Sequence, residues 1–436
     1  MTVRIAHISD THLGTRPREG VKPDVWAVEM RTRIVENDFY ERFAEVFNRI
    51  ASLSPPVELV IHSGDLYDSP SEENPSQPPV VAQETALSVL KSFTERTGIP
   101  VLIIEGNHGL YRSMDVSLLD SLRMSVSGLS VATHVDLKRA LNNREPLKYS
   151  YTNLDVFCFP YMSASVLQSS GLVNEFNDWI MTNQRPDSHK PSVAVVHGMD
   201  RDGTLPSSVF SMGYSYIALG HDHKQHKHSK NAWYAGSTER WRFDESGQKK
   251  GFLVVDVSAN NLPVVTPEYF DFKRPMFNRK MTTEDVTTSD FLVEKVEAWF
   301  VEKGMKGAWD PTTAARVRFL FGGSSRAANL DIVAAMESYR TKVLQSGSDY
   351  NIAQLTWQTR PPKAEPALAP FPEIESEYLI ENPEEDFRAY IDTVKGIDIQ
   401  FDPALLTRVA VRALKMSVKT GEEKLTLETL SEDENR

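Results

Sequence analysis

The sequence predicts a layered α/β protein: a large domain of sheets and helices, a small second α/β unit, and a helical segment after a linker. Three observations predict it. Up to about residue 270, short apolar runs rich in Val and Ile alternate with longer amphipathic stretches. Near Phe272–Pro275 this pattern gives way to a shorter set of two helical stretches, each followed by a strand. From Pro361 to Pro372 prolines are too dense for a packed element, which marks a semi-rigid linker.

Taken in order, the apolar runs Val3–Ile8, Val57–Ile61, Val101–Ile104, Val156–Phe159, Val193–Val196 and Tyr216–Leu219 have the length and composition of buried strands. A helix is expected over about Asp38–Ser52, because Phe39, Phe43, Val46, Phe47 and Ile50 share one face. A second is expected over about Val81–Arg96, with Gly98 as its stop. The Pro-rich stretch Ser69–Pro79 between them reads as a loop, and Ala232–Ala235 with Gly251–Val257 as an antiparallel hairpin. The small unit, residues 276–360, should hold helices near Asp285–Lys303 and Ala327–Gln345 and strands at Arg316–Phe321 and Asn351–Trp357. Residues 361–374 form the linker, and 375–436 hold two amphipathic helices. One is about Glu384–Lys395; the other is capped by Asp402 and Pro403. Their apolar stripes need cover, either from the main body or from a partner.

Composition bounds the function. At 436 residues there is room for two or three domains. No run of about 18 or more apolar residues suggests a membrane span. The start reads as a strand rather than a secretory signal, with a functional-looking Asp10 directly after it. The single Cys158 excludes an internal disulfide and a multi-cysteine zinc site, which fits a reducing cytoplasm. A net charge of −12 argues mildly against nucleic acid as a partner. However, much of the acidity is concentrated between Glu373 and Asp386 and at Ser431–Asn435.

The chemistry lies at the ends of the apolar strands. In order come Asp10-Thr11-His12, Gly64-Asp65-Leu66-Tyr67-Asp68, Gly106-Asn107-His108, His197-Gly198 and Gly220-His221-Asp222-His223. Open α/β architectures place ligands at strand carboxyl ends. Carboxylate, amide oxygen and imidazole, with no thiolate, suit a hard-to-borderline divalent metal. Any one of these motifs alone is common by chance, a turn or a core histidine. Five in series, each at a strand end, are not. Seven donors (Asp10, His12, Asp65, Asn107, His197, His221 and His223) are too many for one ion and suit two, sharing a carboxylate. The i, i+2 spacing of Asp10 with His12 and of His221 with His223 points both side chains of each pair one way where the chain is extended. Gly64, Gly106 and Gly220 read as sharp turns.

This series resembles the calcineurin-like metallophosphoesterase superfamily and, more closely, the SbcD-type DNA-break nucleases. The resemblance rests also on Ile8–Gly14, His62–Asp68, Tyr234–Arg240 and Lys250-Gly251-Phe252, and covers residues 1 to about 270. It implies a layered metallophosphoesterase β-sandwich flanked by helices, a cap domain over 276–360 and a C-terminal segment that binds a partner. It implies two manganese ions, with magnesium or another divalent ion as substitutes. One would be held by Asp10, His12, Asp65 and His223, the other by Asp65, Asn107, His197 and His221, Asp65 bridging. It makes His108 the catalytic histidine. The activity implied is 3′→5′ exonuclease on duplex DNA and endonuclease on single strands or hairpins. The partners implied are DNA, an SMC-type (SbcC-like) ATPase subunit and a second copy of the chain. A phosphatase or cyclic-nucleotide phosphodiesterase on the same fold, or a scaffold with a weakened site, are the rival readings.

Two features depart from the family. Gly109 stands where an acid usually follows the catalytic histidine, so either catalysis is slowed or another acid such as Asp115 substitutes, and activity is expected to survive. The loop after Gly14 is long and would narrow access. Lys224, Lys227 and Lys230 beside the metal motif, and Arg240 and Arg242 around Trp241, are candidate DNA contacts, with a solvated loop as the alternative. Asp68 reads as a turn or supporting residue, and His7 and His62 as core or supporting residues.

Overall fold

The computed structural model describes residues 2–15, 26–68, 78–109, 116–162, 173–187, 189–200, 203–283, 286, 288–322 and 326–360. The linker, the C-terminal helices, the loop after Gly14, most of the Pro-rich loop and Asp115 therefore lie outside the described residues. In chain order the first half runs β1 (Thr2–Ile8), α1 (Trp26–Ala51), β2 (Leu59–His62), α2 (Val80–Thr97), β3 (Val101–Ile104), α3 (Asp120–Ser125), β4 (Leu129–Ala132), α4 (His134–Asn143), β5 (Lys148–Ser150) and β6 (Asp155–Phe159). Then come α5 (Val173–Asn183), β7 (Ser192–His197), β8 (Tyr216–Gly220), β9 (His226–Lys227), β10 (Ala232–Tyr234), β11 (Lys250–Ser258) and β12 (Val264–Phe270).

Two six-stranded sheets form from these, ordered β12-β11-β1-β2-β3-β4 and β5-β6-β7-β8-β10-β9. Strand alternation explains why their sequences read as unbroken apolar runs. Val3, Ile5, Leu59, Ile61, Leu102 and Ile104 enter the core shared with the second sheet. Their neighbours Ala6, Ile8, Val60, Val101 and Ile103 enter the core under Phe43, Phe47, Leu90 and Phe93 of α1 and α2. The inner strands β1, β2 and β3 are thus buried on both faces. In the metal-motif region, β1, β2 and β3 are parallel, as are β7 and β8, so their carboxyl ends share one direction within each sheet.

The small unit adds β13 (Met276–Thr282), α6 (Ser289–Glu302), β14 (Ala315–Gly322), α7 (Arg326–Leu344) and β15 (Ile352–Arg360). Its three parallel strands build a separate sheet and a separate core, centred on Val296, Phe300, Phe319 and Met336. Residues 1–361 nonetheless form one compact unit. Arg31 on α1 donates to the Ile352 carbonyl, and Val35 packs with Ala314 and Ala353. Among the described residues no helix is long and apolar enough to cross a membrane.

The expected hairpin of Ala232–Ala235 with Gly251–Val257 is corrected. β10 pairs parallel with β8 in the second sheet, whereas β11 pairs antiparallel with β1 and β12 in the first. The residues between them cross from one sheet to the other past the strand ends, and this crossing carries part of the site.

Candidate metal centre

The strand-end loops converge by main-chain pairing that continues past the sheet. Ser63 N–H donates to the Ile8 carbonyl (2.9 Å), Asp10 N–H to Gly64 (3.0 Å), His12 N–H to Asp65 (3.1 Å) and Leu13 N–H to Leu66 (2.9 Å). The backbone there is not extended, so the donors are not aimed by strand alternation. Asp10, His12, Asp65 and His221 all take positive φ, at 50°, 45°, 54° and 93°. They are four of the five non-glycine residues so placed among the described residues, and such conformations concentrate at functional sites. Gly64 has a φ of 108°, as a turn requires, and a Cβ there would overlap the His197 ring. Gly106 and Gly220 are needed for closeness rather than turning: a Cβ would overlap Asp65 Oδ1 in one case and the Ser63 carbonyl in the other.

All seven predicted donors come together. Asp10, His12 and His223 offer ligand atoms within 4.8 Å of one another, as do Asp65, His197 and His221, and as do His12, Asp65 and His108. Asp65 Oδ2 lies 3.3 Å from His197 Nε2 and 3.9 Å from His12 Nε2, so it faces both clusters. Asn107 Oδ1 lies 2.9 Å from His197 Nε2 and 2.8 Å from His221 Nδ1.

The donor atoms point at one another in a way that calls for a cation. His197 donates Nδ1–H to the Ser63 carbonyl at 2.8 Å, so in the neutral ring Nε2 is a bare lone pair facing the Asn107 and Asp65 oxygens. His223 holds Nδ1 on Glu245 Oε1 at 2.9 Å, and its Nε2 sits 3.1 Å from His12 Nε2. His12 Nδ1 is buried without a hydrogen-bond partner. Burial opposes a charge on His197, but Asp65 and Asp10 outweigh it and bring the pKa up to about 9. Burial drives His12 the other way, helped by His223 and His108.

His108 stands at the edge, its side chain about one-fifth exposed at 20%. Its amide donates to Asp65 Oδ1 at 2.9 Å, and its ring Nδ1 meets Asp68 Oδ1 at 2.9 Å. Burial disfavours the charged ring, yet Asp68 and Asp65 raise its pKa in the metal-free protein. The acid expected after His108 and missing at Gly109 is thus supplied from 40 residues upstream by Asp68.

Other residues complete the site. Trp241 stacks on His12 with centroids 4.7 Å apart and planes at 10°, and meets His108 edge-on at 5.3 Å. Tyr161 stacks on His221 at 6.1 Å. Behind His223, Glu245 also accepts from Lys250 Nζ at 2.7 Å, and its pKa falls to about 2: burial raises it, but His223 and Lys250 dominate. Asp68 had a signal, its place in the Gly64–Asp68 motif. Glu245 and Tyr161 had none, and Trp241 was legible only as the neighbour of two arginines.

The basic candidates divide. Lys224, Lys227 and Lys230 are exposed, Lys227 on β9 and the other two on either side of it. Arg240 is corrected: it is only 2% exposed, donates to the Ser246 and Arg274 carbonyls and covers the Phe272 ring at 3.9 Å, so its guanidinium is not available to a phosphate. Arg242 is exposed and lies over Trp241. His226 stacks on Tyr234 and His228 lies beside Phe210, outside the donor groups. His7 bonds Tyr216 and Ser63, and His62 bonds Thr11, so both support the loops from within.

The chain is similar to the DNA double-strand break repair protein Mre11 of Methanococcus maripaludis, 27% identical over 59% of this chain and 64% of that one. It is similar to the protein of the same name from Saccharolobus solfataricus, at 26% over 61% and 62%. It also resembles a subunit of the nuclease SbcCD of Staphylococcus epidermidis, at 25% over 47% and 57%. It thus spans under two thirds of the length of each of these relatives. The model of the calcineurin-like phosphoesterases, a family that uses divalent metals, matches residues 3–225, which hold all seven donors and His108, and the chain belongs to this family.

Proposed function

We propose that the chain is a two-metal phosphodiesterase that cuts DNA, the nuclease subunit of a DNA-break-processing complex. The observation that carries this reading is one pocket in which Asp65 faces two donor clusters, with the His108–Asp68 pair at its edge. Asp10, His12, Asp65 and His223 would hold one ion. Asp65, Asn107, His197 and His221 would hold the other, with manganese the expected metal. Oxygen and imidazole donors without thiolate fit such ions. Bound there, two cations neutralise phosphate charge and make a water acidic enough to attack at neutral pH.

The chain's own residues do the rest. The Ser63 carbonyl and Glu245 fix His197 and His223 with Nε2 toward the pocket. His108, with Nδ1 on Asp68, holds a proton at Nε2 for the leaving oxygen. Lys224, Lys227 and Lys230 contact the phosphate backbone, and residues 276–360 act as a cap beside it. The segment 375–436 grips an SMC-type ATPase subunit, and the chain works as a homodimer. The names of its relatives, repair proteins and part of a nuclease, support DNA over a small phosphoester.

The test is incubation with Mn2+ and end-labelled duplex, hairpin and single-stranded DNA, beside an Asp65→Asn control. Shortening of duplex 3′ ends and cutting of hairpins and single strands are expected, and both should vanish in the control. Absence of Mn2+-dependent cutting, with and without the ATPase partner, overturns the reading.

A further inference from the structure

We propose that Arg316, on β14 of the small α/β unit, is a positioning residue for the metal centre and acts through Trp241. The inference rests on the two-metal reading above. Trp241 is the flat wall of the pocket. Its indole lies parallel to the His12 ring, its edge meets His108 and its centroid is 5.1 Å from that of His223. Three residues assigned to the chemistry thus share one aromatic neighbour, and its placement sets the plane of the His12 ring.

The segment that carries Trp241 is held from two sides. On the phosphoesterase side, Trp241 N–H donates to Glu245 Oε2 at 3.0 Å, and Nε1–H to Thr15 Oγ1 at 2.6 Å. On the other side stands Arg316. Its Nη1 donates to the Arg240 carbonyl at 2.9 Å and its Nη2 to the Trp241 carbonyl at 3.1 Å. Its Nε is oriented by Gln354 Oε1 at 2.6 Å, from the adjacent strand β15. A buried guanidinium forked over two consecutive carbonyls fixes that peptide in position and direction, which a single bond cannot do. Arg318, two residues on, provides the contrast. Both guanidiniums lie 5.3 Å from the Phe243 ring, but Arg318 bonds Asn278 rather than the Arg240 and Trp241 carbonyls. Arg316 therefore links the small unit directly to the Trp241 peptide, and a shift of that unit moves the wall of the pocket.

The test uses the full chain and the variants Arg316→Ala, Arg316→Lys, Trp241→Leu, the double Arg316→Ala/Trp241→Leu, and Arg318→Ala. Mn2+ is titrated into metal-free protein by calorimetry. Hydrolysis of bis(p-nitrophenyl) phosphate, too small to touch both units, is followed at saturating Mn2+. Arg316→Ala and Trp241→Leu should each weaken Mn2+ binding about 10-fold, the lower end for loss of ligand support. Each should lower kcat by a similar factor with little change in KM. The double variant should be no worse than Trp241→Leu, Arg316→Lys, which keeps the charge but loses the fork, should recover little of the loss, and Arg318→Ala should bind Mn2+ as the wild type does. A folded Arg316→Ala that binds Mn2+ like the wild type overturns the proposal, as does a double variant whose losses multiply. Should Arg316→Ala not fold, Arg316→Gln, which keeps one donor nitrogen but loses the charge and the fork, enters the same cycle. A wild type that binds Mn2+ but leaves the diester and DNA intact defeats the hydrolase reading alone, because the Mn2+ titration still decides the role of Arg316.

Discussion

Replacing Asp68 by Asn keeps the shape of the side chain next to His108 and removes its charge. In the wild type the carboxylate accepts from the His108 ring at 2.9 Å while only 6% exposed, so solvent screens the pair little. A hydrogen bond to a charged group contributes about 1.5–3 kcal/mol, and a neutral one about 0.5–1.5. The amide can still accept through Oδ1, so Asp68→Asn should cost the difference, roughly 1–1.5 kcal/mol, when the ring carries its proton to the leaving oxygen. That corresponds to about a 10-fold fall in kcat. Asp68→Ala leaves no acceptor and should fall about 100-fold. Gly109→Asp, which restores the acid usual for the family, should change little in the wild-type background, because the His108 Nδ1 position is already filled. The assay is steady-state cleavage of a hairpin oligonucleotide at saturating Mn2+. A wild-type kcat in Asp68→Asn, or a several-fold gain in Gly109→Asp, would refute the assignment of Asp68 as the orienting acid.

Four further outcomes follow from the same geometry. Gly64→Ala places a methyl group on the His197 ring at a φ of 108°, and strain with overpacking should lower stability by about 3–5 kcal/mol in urea unfolding; an unchanged midpoint contradicts the close approach. Replacing Lys224, Lys227 and Lys230 together by Ala should reduce the slope of log affinity for duplex DNA against log salt by about 2.7. Arg240→Ala should lower the melting temperature and leave that slope as it is; the reverse pattern would reinstate Arg240 as a DNA contact. His7 stays neutral in the fold, its pKa pushed down to about 3 by burial and then by His62. Its contribution is therefore present above the unfolded pKa of 6.5 and is lost as pH falls toward about 3, because only the unfolded chain takes up the proton. Between pH 7 and 5 that is about 2 kcal/mol, so His7→Gln should lose that much less stability than the wild type over the interval, and an equal loss in both would sink the assignment.

The donors were legible because metal chemistry restricts residue type and the architecture restricts place. Asp10, Asp65, Asn107, His197 and His221 each follow a run of Val, Ile or Leu that a two-faced buried strand imposes. What failed to show depends on contacts far apart in the chain. α1 begins at Trp26, twelve residues before the expected Asp38. Its first half packs on the small unit through Arg31 and Val35 rather than through an apolar stripe, so periodicity carried no mark of it. The false hairpin arose because two short apolar runs look alike whichever sheet they join. Arg240 shows the limit of reading charge: basicity suggested exposure, while the Ser246 and Arg274 carbonyls had already engaged the guanidinium.

The strained backbone of the donors indicates how the pocket is held before any metal arrives. Each left-handed residue costs about 1–3 kcal/mol, and such strain persists only where its surroundings over-determine it. Here the surroundings are the paired loops after β1 and β2. The bonds from Ser63, Asp10, His12 and Leu13, followed by Asp68 N–H to the Leu13 carbonyl at 2.9 Å, lock the two loops rung by rung. Asp10 then accepts from His221 N–H, and Asp65 from His108 N–H, which ties the loops after β8 and β3 to the same frame. Each acid is therefore at once a candidate ligand and a bracket for the next loop. A conservative change such as Asp65→Asn keeps the bracket and alters the ligand, whereas Asp65→Ala removes both. The difference between those two variants in metal-free stability measures how much of the pocket is held by the chain itself.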